Sequence, residues 1–135
     1  MANCDDEAIE LKYLSSFVGE WTKQNDNIVI ISIFKSAETF IFDYADNKDY
    51  NILLLDIEMP GINGVELAKR ARLDNATVQI IFITGFPNFL AEGYEVSALY
   101  FLMKSVGYEK FLEVLTRASI NLSKAERVII FNIDG

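Results

Sequence analysis

Histidine is absent from this chain of 135 residues. That removes the commonest general base, the commonest nitrogen ligand for metals and any Ser-His-Asp triad. A single cysteine, Cys4, permits no intrachain disulfide and no cysteine-type zinc site, and such sparing use suits a reducing compartment. Two prolines and seven glycines are too few for a Pro- or Gly-rich linker, and no low-complexity tract or internal repeat is present. Basic residues are scarce: 12 Lys and Arg against 20 Asp and Glu leave a formal charge of −8. Nucleic acids and anionic membrane surfaces both require clustered positive charge, so this chain by itself is a poor binder of either. No apolar run approaches the ~20 residues of a membrane span, and no basic-then-apolar signal pattern opens the chain. The expectation is a soluble, cytoplasmic protein with no membrane partner.

What is present is a large apolar fraction, 51%, arranged in two kinds of segment. Ile28–Phe34, Ile52–Leu55, Ile80–Ile83 and Leu99–Met103 are short apolar runs without in/out alternation. Strands covered on both faces read this way, as in a parallel sheet. Between them lie stripes at helical spacing: Ile9, Tyr13, Phe17 and Trp21 with Leu14 and Val18; Ala37, Phe40, Ile41, Tyr44 and Ala45; Leu67 and Ala71; Phe111, Leu112, Leu115, Ala118 and Leu122. A short helix is expected around Phe89–Tyr94, and Met1–Cys4 makes a short first strand in which Asn3 is out of character. Five βα units with right-handed crossovers predict an α/β fold: a doubly wound, five-stranded parallel sheet of flavodoxin-like order 2-1-3-4-5 over residues 1–122. Ser123–Arg127 is polar and Val128–Ile133 apolar again. A sixth strand without a following helix breaks the rhythm, so 123–135 reads as a linker and the first strand of a missing output domain. A strand added to this sheet, or to a neighbouring chain, is the alternative.

Open parallel sheets bind ligands at the carboxyl ends of their strands. Here the first strand ends in Asp5-Asp6-Glu7, the third in Asp56, the fourth in Thr84 and the fifth in Lys104. Singly, each has a plain structural reading: a helix cap, a turn, a strand residue, a surface charge. Together they put carboxylates, a hydroxyl and an ammonium on one crevice. Clustered carboxylates are stable as anions only around a cation, and an open oxygen-donor site suits Mg²⁺. Mg²⁺ with Lys and Thr donors is an arrangement for a phosphoryl group, and Asp56, on the middle strand, is the natural nucleophile.

The segment Leu55-Asp56-Ile57-Glu58-Met59-Pro60-Gly61-Ile62-Asn63-Gly64-Val65-Glu66-Leu67 resembles the phosphoacceptor segment of bacterial response-regulator receiver domains. Cys4-Asp5-Asp6-Glu7, Ile83-Thr84-Gly85 and Phe101-Leu102-Met103-Lys104 are similar to the family's other motifs, in the right order. Cys-Asp-Asp-Glu and Val96–Leu102 are most similar to receivers of LytTR-type transcription regulators, in which a DNA-binding domain follows. The resemblance implies that Asp56 accepts phosphate from a sensor histidine kinase in a two-component system. It implies that Asp6, Asp56 and the backbone carbonyl of Glu58 bind Mg²⁺, with Asp5 acting through water. Thr84 and Lys104 hold the phosphoryl oxygens, and Thr84 and Phe101 form the switch that remodels the face of helix four, strand five and helix five. A phosphorylation-dependent homodimer, DNA contact only through the missing domain, and no catalysis beyond phosphoryl transfer and slow autodephosphorylation also follow from it.

One position departs from the family. Ser105 follows Lys104 where the family usually has a proline with a cis bond. A cis bond before a non-proline residue costs about 3 kcal/mol, so a trans bond is expected. Other functions fit less well. A haloacid-dehalogenase-type phosphohydrolase needs a second Asp two residues after the nucleophile, where Glu58 stands. A flavodoxin-like nucleotide carrier needs a Ser/Thr loop where Asp5-Asp6-Glu7 would repel phosphate. A pseudo-receiver that only binds partners sits badly with the intact acidic set.

Overall fold

A computed structural model describes residues 1–25 and 29–134. The strands are β1 (Ala2–Cys4), β2 (Ser32–Phe34), β3 (Ile52–Leu55), β4 (Gln79–Thr84) and β5 (Tyr100–Met103). They alternate with α1 (Ala8–Asn25), α2 (Ala37–Tyr44), α3 (Gly64–Asp74), α4 (Leu90–Glu95) and α5 (Tyr108–Asp134), and a 3-10 turn at Pro87–Phe89 leads into α4. The sheet is all-parallel, in the order β2-β1-β3-β4-β5, which is the doubly wound order expected.

Because successive strand residues face opposite ways, the contiguous apolar runs feed two cores. Leu53, Leu55, Ile80 and Phe82 pack with Ala37 and Phe40 of α2 and Leu67, Ala68 and Ala71 of α3. Leu54, Ile81, Ile83 and Leu102 pack with Leu14, Val18 and Trp21 of α1 and Phe111, Leu115 and Ala118 of α5. At about 25 cal/mol per Å² of apolar surface, these two layers supply the main driving force for folding. Two helices begin on side-chain caps: Ser36 Oγ accepts from Thr39 N–H at 3.1 Å, and Asn63 Oδ1 from Glu66 N–H at 2.9 Å. Each is worth about 1 kcal/mol.

Four expectations are corrected. β2 is shorter than the apolar run 28–34; it starts at Ser32, and position 28 lies outside the described residues. The buried side of α1 runs through Leu11, Leu14, Val18 and Trp21, leaving Ile9 exposed, because the helix turns by 3.6 residues and a strict spacing of four drifts off the face. Residues 128–133 are helical and not a strand: α5 continues to Asp134, with no Pro or Gly between Tyr108 and Asp134 to stop it. The Lys104–Ser105 bond is cis and not trans; Ser105 and Val106 are both held by α1, as described below.

Asn3, out of character in a buried strand, has partners. Its amide donates to Leu11 O at 3.1 Å and to Ser15 Oγ at 3.4 Å, so β1 and α1 are stitched by a satisfied polar group. On the other side of the sheet, Arg72 spans from α3 to the loop after α4, donating to the carbonyls of Val96, Asn75, Ala76 and Ser97.

Candidate functional site

The register brings the carboxyl ends of β1, β2 and β3 level, while β4 and β5 run on together for two more residues. Cys4 pairs with both Phe34 and Leu55, Leu55 with Phe82, and Thr84 with Met103. The ladder continues one step past the strands, since Asp5 N–H donates to Phe34 O, Asp56 N–H to Cys4 O and Lys104 N–H to Thr84 O, at 2.9–3.0 Å. The residues after β1, β3 and β5 are thereby pinned at one edge.

Asp5 and Asp56 are buried there, while Asp6 and Glu7 reach solvent. All four residues offer an oxygen within 4.8 Å of the others. Lys104 enters from the β5 side. Its ammonium lies 2.9 Å from Asp5 Oδ2, 2.6 Å from Glu7 Oε1 and 3.3 Å from Asp56 Oδ2. Asp5 Oδ1 accepts from Glu7 N–H and Asp56 Oδ1 from Ile57 N–H, both at 2.9 Å. Thr84 is fully buried beside Asp56, its hydroxyl accepting from Phe86 N–H at 3.3 Å.

One ammonium among four carboxylate residues does not neutralise them. Burial pushes the Asp5 carboxyl up to about 6, with the Glu7 N–H and Lys104 opposing and the charge on Asp56 adding. Burial likewise raises Asp56, against the charge of Lys104 and hydrogen bonds from Thr84, Lys104 and Ile57. For Lys104, burial acts to lower the pKa, but the hydrogen bonds to Glu7 and Asp5 and the charges of Asp5 and Asp56 hold it above the ordinary lysine range. The site is electron-rich and short of positive charge. An all-oxygen donor set with two exposed members fits a hard divalent ion that keeps part of its water, as Mg²⁺ does.

The loop after Asp56 is shaped by two glycines. Gly61 takes a positive φ of 82° in the turn after Pro60, and the Glu38 carboxylate accepts from the next N–H, Ile62, at 2.7 Å. Gly64 opens α3 directly against the Asp56 backbone and donates to Ile57 O at 2.9 Å. An open depression of about 510 Å³, lined by Asp6, Glu58, Met59, Pro60, Asn63 and Phe89, gives access to the acidic cluster.

Asp5, Asp6, Asp56, Thr84 and Lys104 therefore converge, and Glu58 stands at the rim with its side chain exposed. Phe101 does not join them. It is half-buried on β5 with its ring 5.9 Å from Phe82, beside a cavity of about 270 Å³ under α4. Sequence reasoning counted Glu7 among the acids after the first strand but gave it no role; here it makes the shortest contact to Lys104. Cys4 is buried with its Sγ 3.8 Å from Met59 Sδ, and burial followed by the charge of Asp5 pushes its thiol up to about 12.

A five-stranded 2-1-3-4-5 sheet that gathers acids, a hydroxyl and an ammonium at one edge is the frame of a phosphoryl-handling receiver. The response regulator receiver domain model matches residues 3–116, and the chain belongs to that family, the receivers of two-component response regulators. The positive alginate biosynthesis regulatory protein of Pseudomonas aeruginosa is 33% identical over 115 residues, covering 85% of this chain and 45% of that protein. The sensory transduction protein LytT of Oceanobacillus iheyensis is 29% identical over 103 residues, covering 75% and 42%. The chain thus spans less than half the length of these two relatives. Among solved structures, a CheY-like receiver domain protein from Methanospirillum hungatei superposes with a TM-score of 0.78 at 19% identity, covering 91% of this chain and 95% of that one. Response regulator TrrA of Thermotoga maritima, in complex with Mg²⁺-BeF, superposes with a TM-score of 0.74 at 23% identity, covering 87% and 96%. At these identities the structural likeness bears on the fold.

Proposed function

We propose that Asp56 is the phosphoacceptor of this receiver, taking its phosphoryl group from a sensor histidine kinase, and that the whole protein to which the receiver belongs is a transcription regulator. The observation that carries the reading is the placement of the buried Asp56 carboxylate beside both Lys104 and Thr84 at the end of the central strand. A carboxylate oxygen of Asp56 forms the new bond to phosphorus while the bond from phosphorus to the donor's nitrogen breaks. The electron pair of that bond leaves with the imidazole, which takes a proton from solvent. Lys104 and the Thr84 hydroxyl stand where they can hold phosphoryl oxygens as charge moves onto them. Asp6, Asp56 and the Glu58 carbonyl would hold Mg²⁺, with Asp5 acting through water, and the ion would supply positive charge against the phosphoryl oxygens.

After transfer, Thr84 turns toward the phosphoryl group and Phe101 moves inward against Phe82, remodelling the surface of α4, β5 and α5. That surface is read as the route to a phosphorylation-dependent homodimer, and DNA contact as a property of the output domain. Relatives such as the transcriptional regulatory protein NatR of Bacillus subtilis support this reading.

Incubation with Mg²⁺ and a small acyl phosphate is expected to add one phosphoryl group by intact mass, and Asp56→Asn to abolish the adduct. An adduct that survives the substitution refutes the assignment.

Metal binding should also follow pH. The Asp5 carboxyl titrates near 6 in the fold against an ordinary 3.8. Between about pH 4 and 6 the folded state therefore holds more protons than the unfolded chain, and metal-free stability falls as pH rises through that window. Mg²⁺ favours the charged form and opposes this fall. The rise in melting temperature on adding Mg²⁺ is expected to be larger at about pH 8 than at about pH 5. Equal shifts at both would exclude Asp5 from the metal site.

A further inference from the structure

We propose that Glu10 and Tyr13 of α1 are positioning residues that aim Lys104 at the phosphoacceptor; this rests on the reading of Asp56 given above. Glu7, just before α1, and Glu10 and Tyr13 within it meet three consecutive residues after β5, in order. Glu7 Oε1 is 2.6 Å from Lys104 Nζ, Glu10 Oε1 accepts from Ser105 Oγ at 3.2 Å, and Tyr13 OH donates to Val106 O at 3.1 Å. Glu7 is in step with the helix, since its carbonyl accepts from Leu11 N–H at 3.1 Å. A spacing of three keeps Glu7, Glu10 and Tyr13 on one side of α1, so the helix presents a row of contacts along the segment 104–106.

That segment needs an outside hold. β5 lies at the edge of the sheet, so only one neighbouring strand steadies it, through Lys104 N–H to Thr84 O. Beyond that bond the Val106 side chain is anchored in the core layer of α1 and α5, which leaves the polar groups of Ser105 and Val106, at the base of a long, flexible lysine side chain, to be held by α1. The Tyr13 hydroxyl is itself braced. Its ring lies 4.5 Å from Phe17, and Phe17 packs 5.0 Å from Tyr108 and 5.9 Å from Phe111, at the start of α5. Glu10 carries an independent sign of a specific role: its Oε2 is buried with no hydrogen-bond partner among the described residues. A buried carboxylate oxygen without a donor is destabilising, and packing of a helix face does not call for one. The Ser105 contact uses the other oxygen of the same group. Lys104 must meet Asp56 and a transferring phosphoryl group within a few tenths of an ångström, and a misplacement of 1 Å in such geometry is enough to cost about 10²-fold in rate.

The test compares Glu10→Ala combined with Tyr13→Phe against the unaltered protein, by the rate of phosphoryl adduct formation with Mg²⁺ and acetyl phosphate. The double variant is expected to react about tenfold more slowly. Glu10→Gln, which keeps an acceptor for Ser105, is expected to react at near the original rate. In a Lys104→Met background the same pair of substitutions should change the residual rate by less than about twofold, because the residue they act through is gone. An unchanged rate in the double variant, or an equal tenfold loss without Lys104, overturns the proposal. A second readout does not require phosphorylation: the side-chain NMR resonance of Lys104 in lysine-labelled protein should move in the double variant while that of Lys110 stays. If the unaltered protein forms no adduct on Asp56, the phosphoacceptor reading fails by itself. The Lys104 resonance then decides the positioning role, supporting it if moved and refuting it if unmoved.

Discussion

Lys104→Met is expected to destabilise the metal-free protein by about 3 kcal/mol at neutral pH, because removing one partner leaves buried carboxylates without a counter-charge. Lys104 is the cation on both buried carboxylates, Asp5 and Asp56, whose side chains are 3% and 4% exposed. Glu7 adds little to the sum, since its side chain is 62% exposed and its pairing is screened by water. The loss depends on pH. Lys104 opposes the rise of the Asp5 carboxyl, so without it Asp5 titrates above about 6. Below that range Asp5 takes up a proton and needs no counter-charge, so the variant recovers toward the original stability as pH falls. Mg²⁺ offers the same compensation by another route, and millimolar amounts should recover much of the melting temperature at neutral pH. Thermal melts with and without Mg²⁺ across the acid-to-neutral range check all three parts. A variant as stable as the original, without metal and at neutral pH, would show that the cluster does not depend on its lysine.

Gly64→Ala is expected to be at least as damaging, and for a reason unrelated to charge. A β-carbon at that position runs into the carbonyl oxygen of Asp56, with the Asp56 carbonyl carbon at 2.9 Å and the Ile57 Cα at 3.1 Å. Every obstructing atom is backbone, so no side chain can rotate away. Either α3 shifts, giving up the Gly64 N–H bond to Ile57 O and the Asn63 cap, or the phosphoacceptor loop moves. Overpacking of this kind costs about 3 kcal/mol or more when the neighbour cannot yield. Gly19, whose β-carbon would meet nothing within 4 Å among the described residues outside its own helix backbone, is the control, and Gly19→Ala is expected to be neutral or slightly stabilising because it lies within α1. Denaturant melts of the two alanine variants measure the contrast. A Gly64→Ala protein with original stability and original phosphoryl uptake would mean that this close approach does not exist.

Much of the architecture can be read from residue order. A strand buried on both faces has to be apolar throughout, so Ile52–Leu55 and Ile80–Ile83 announce themselves as unbroken runs, and the polar residue that ends each run marks the edge where ligands meet the sheet. Apolar composition alone does not separate a strand from a helix in runs of this length. Val128–Ile133 has the composition of a strand, yet α5 passes through it, because a run of six is compatible with either form. Asn3 reads as an anomaly until α1 folds over it and supplies Leu11 O and Ser15 Oγ.

Residue order by itself determined which groups stand at the ends of the strands: the acids after β1, Asp56, Thr84 and Lys104. It could do so because each is adjacent in the chain to the apolar run that positions it. Tertiary structure alone decided how those groups divide one positive charge, with Lys104 reaching Glu7 across 97 residues and Asp56 across 48. It also decided that the start of α1 holds the lysine segment. Those relations depend on strand register and on the angle at which a helix crosses the sheet, and no local pattern in the chain encodes a contact between segments so far apart.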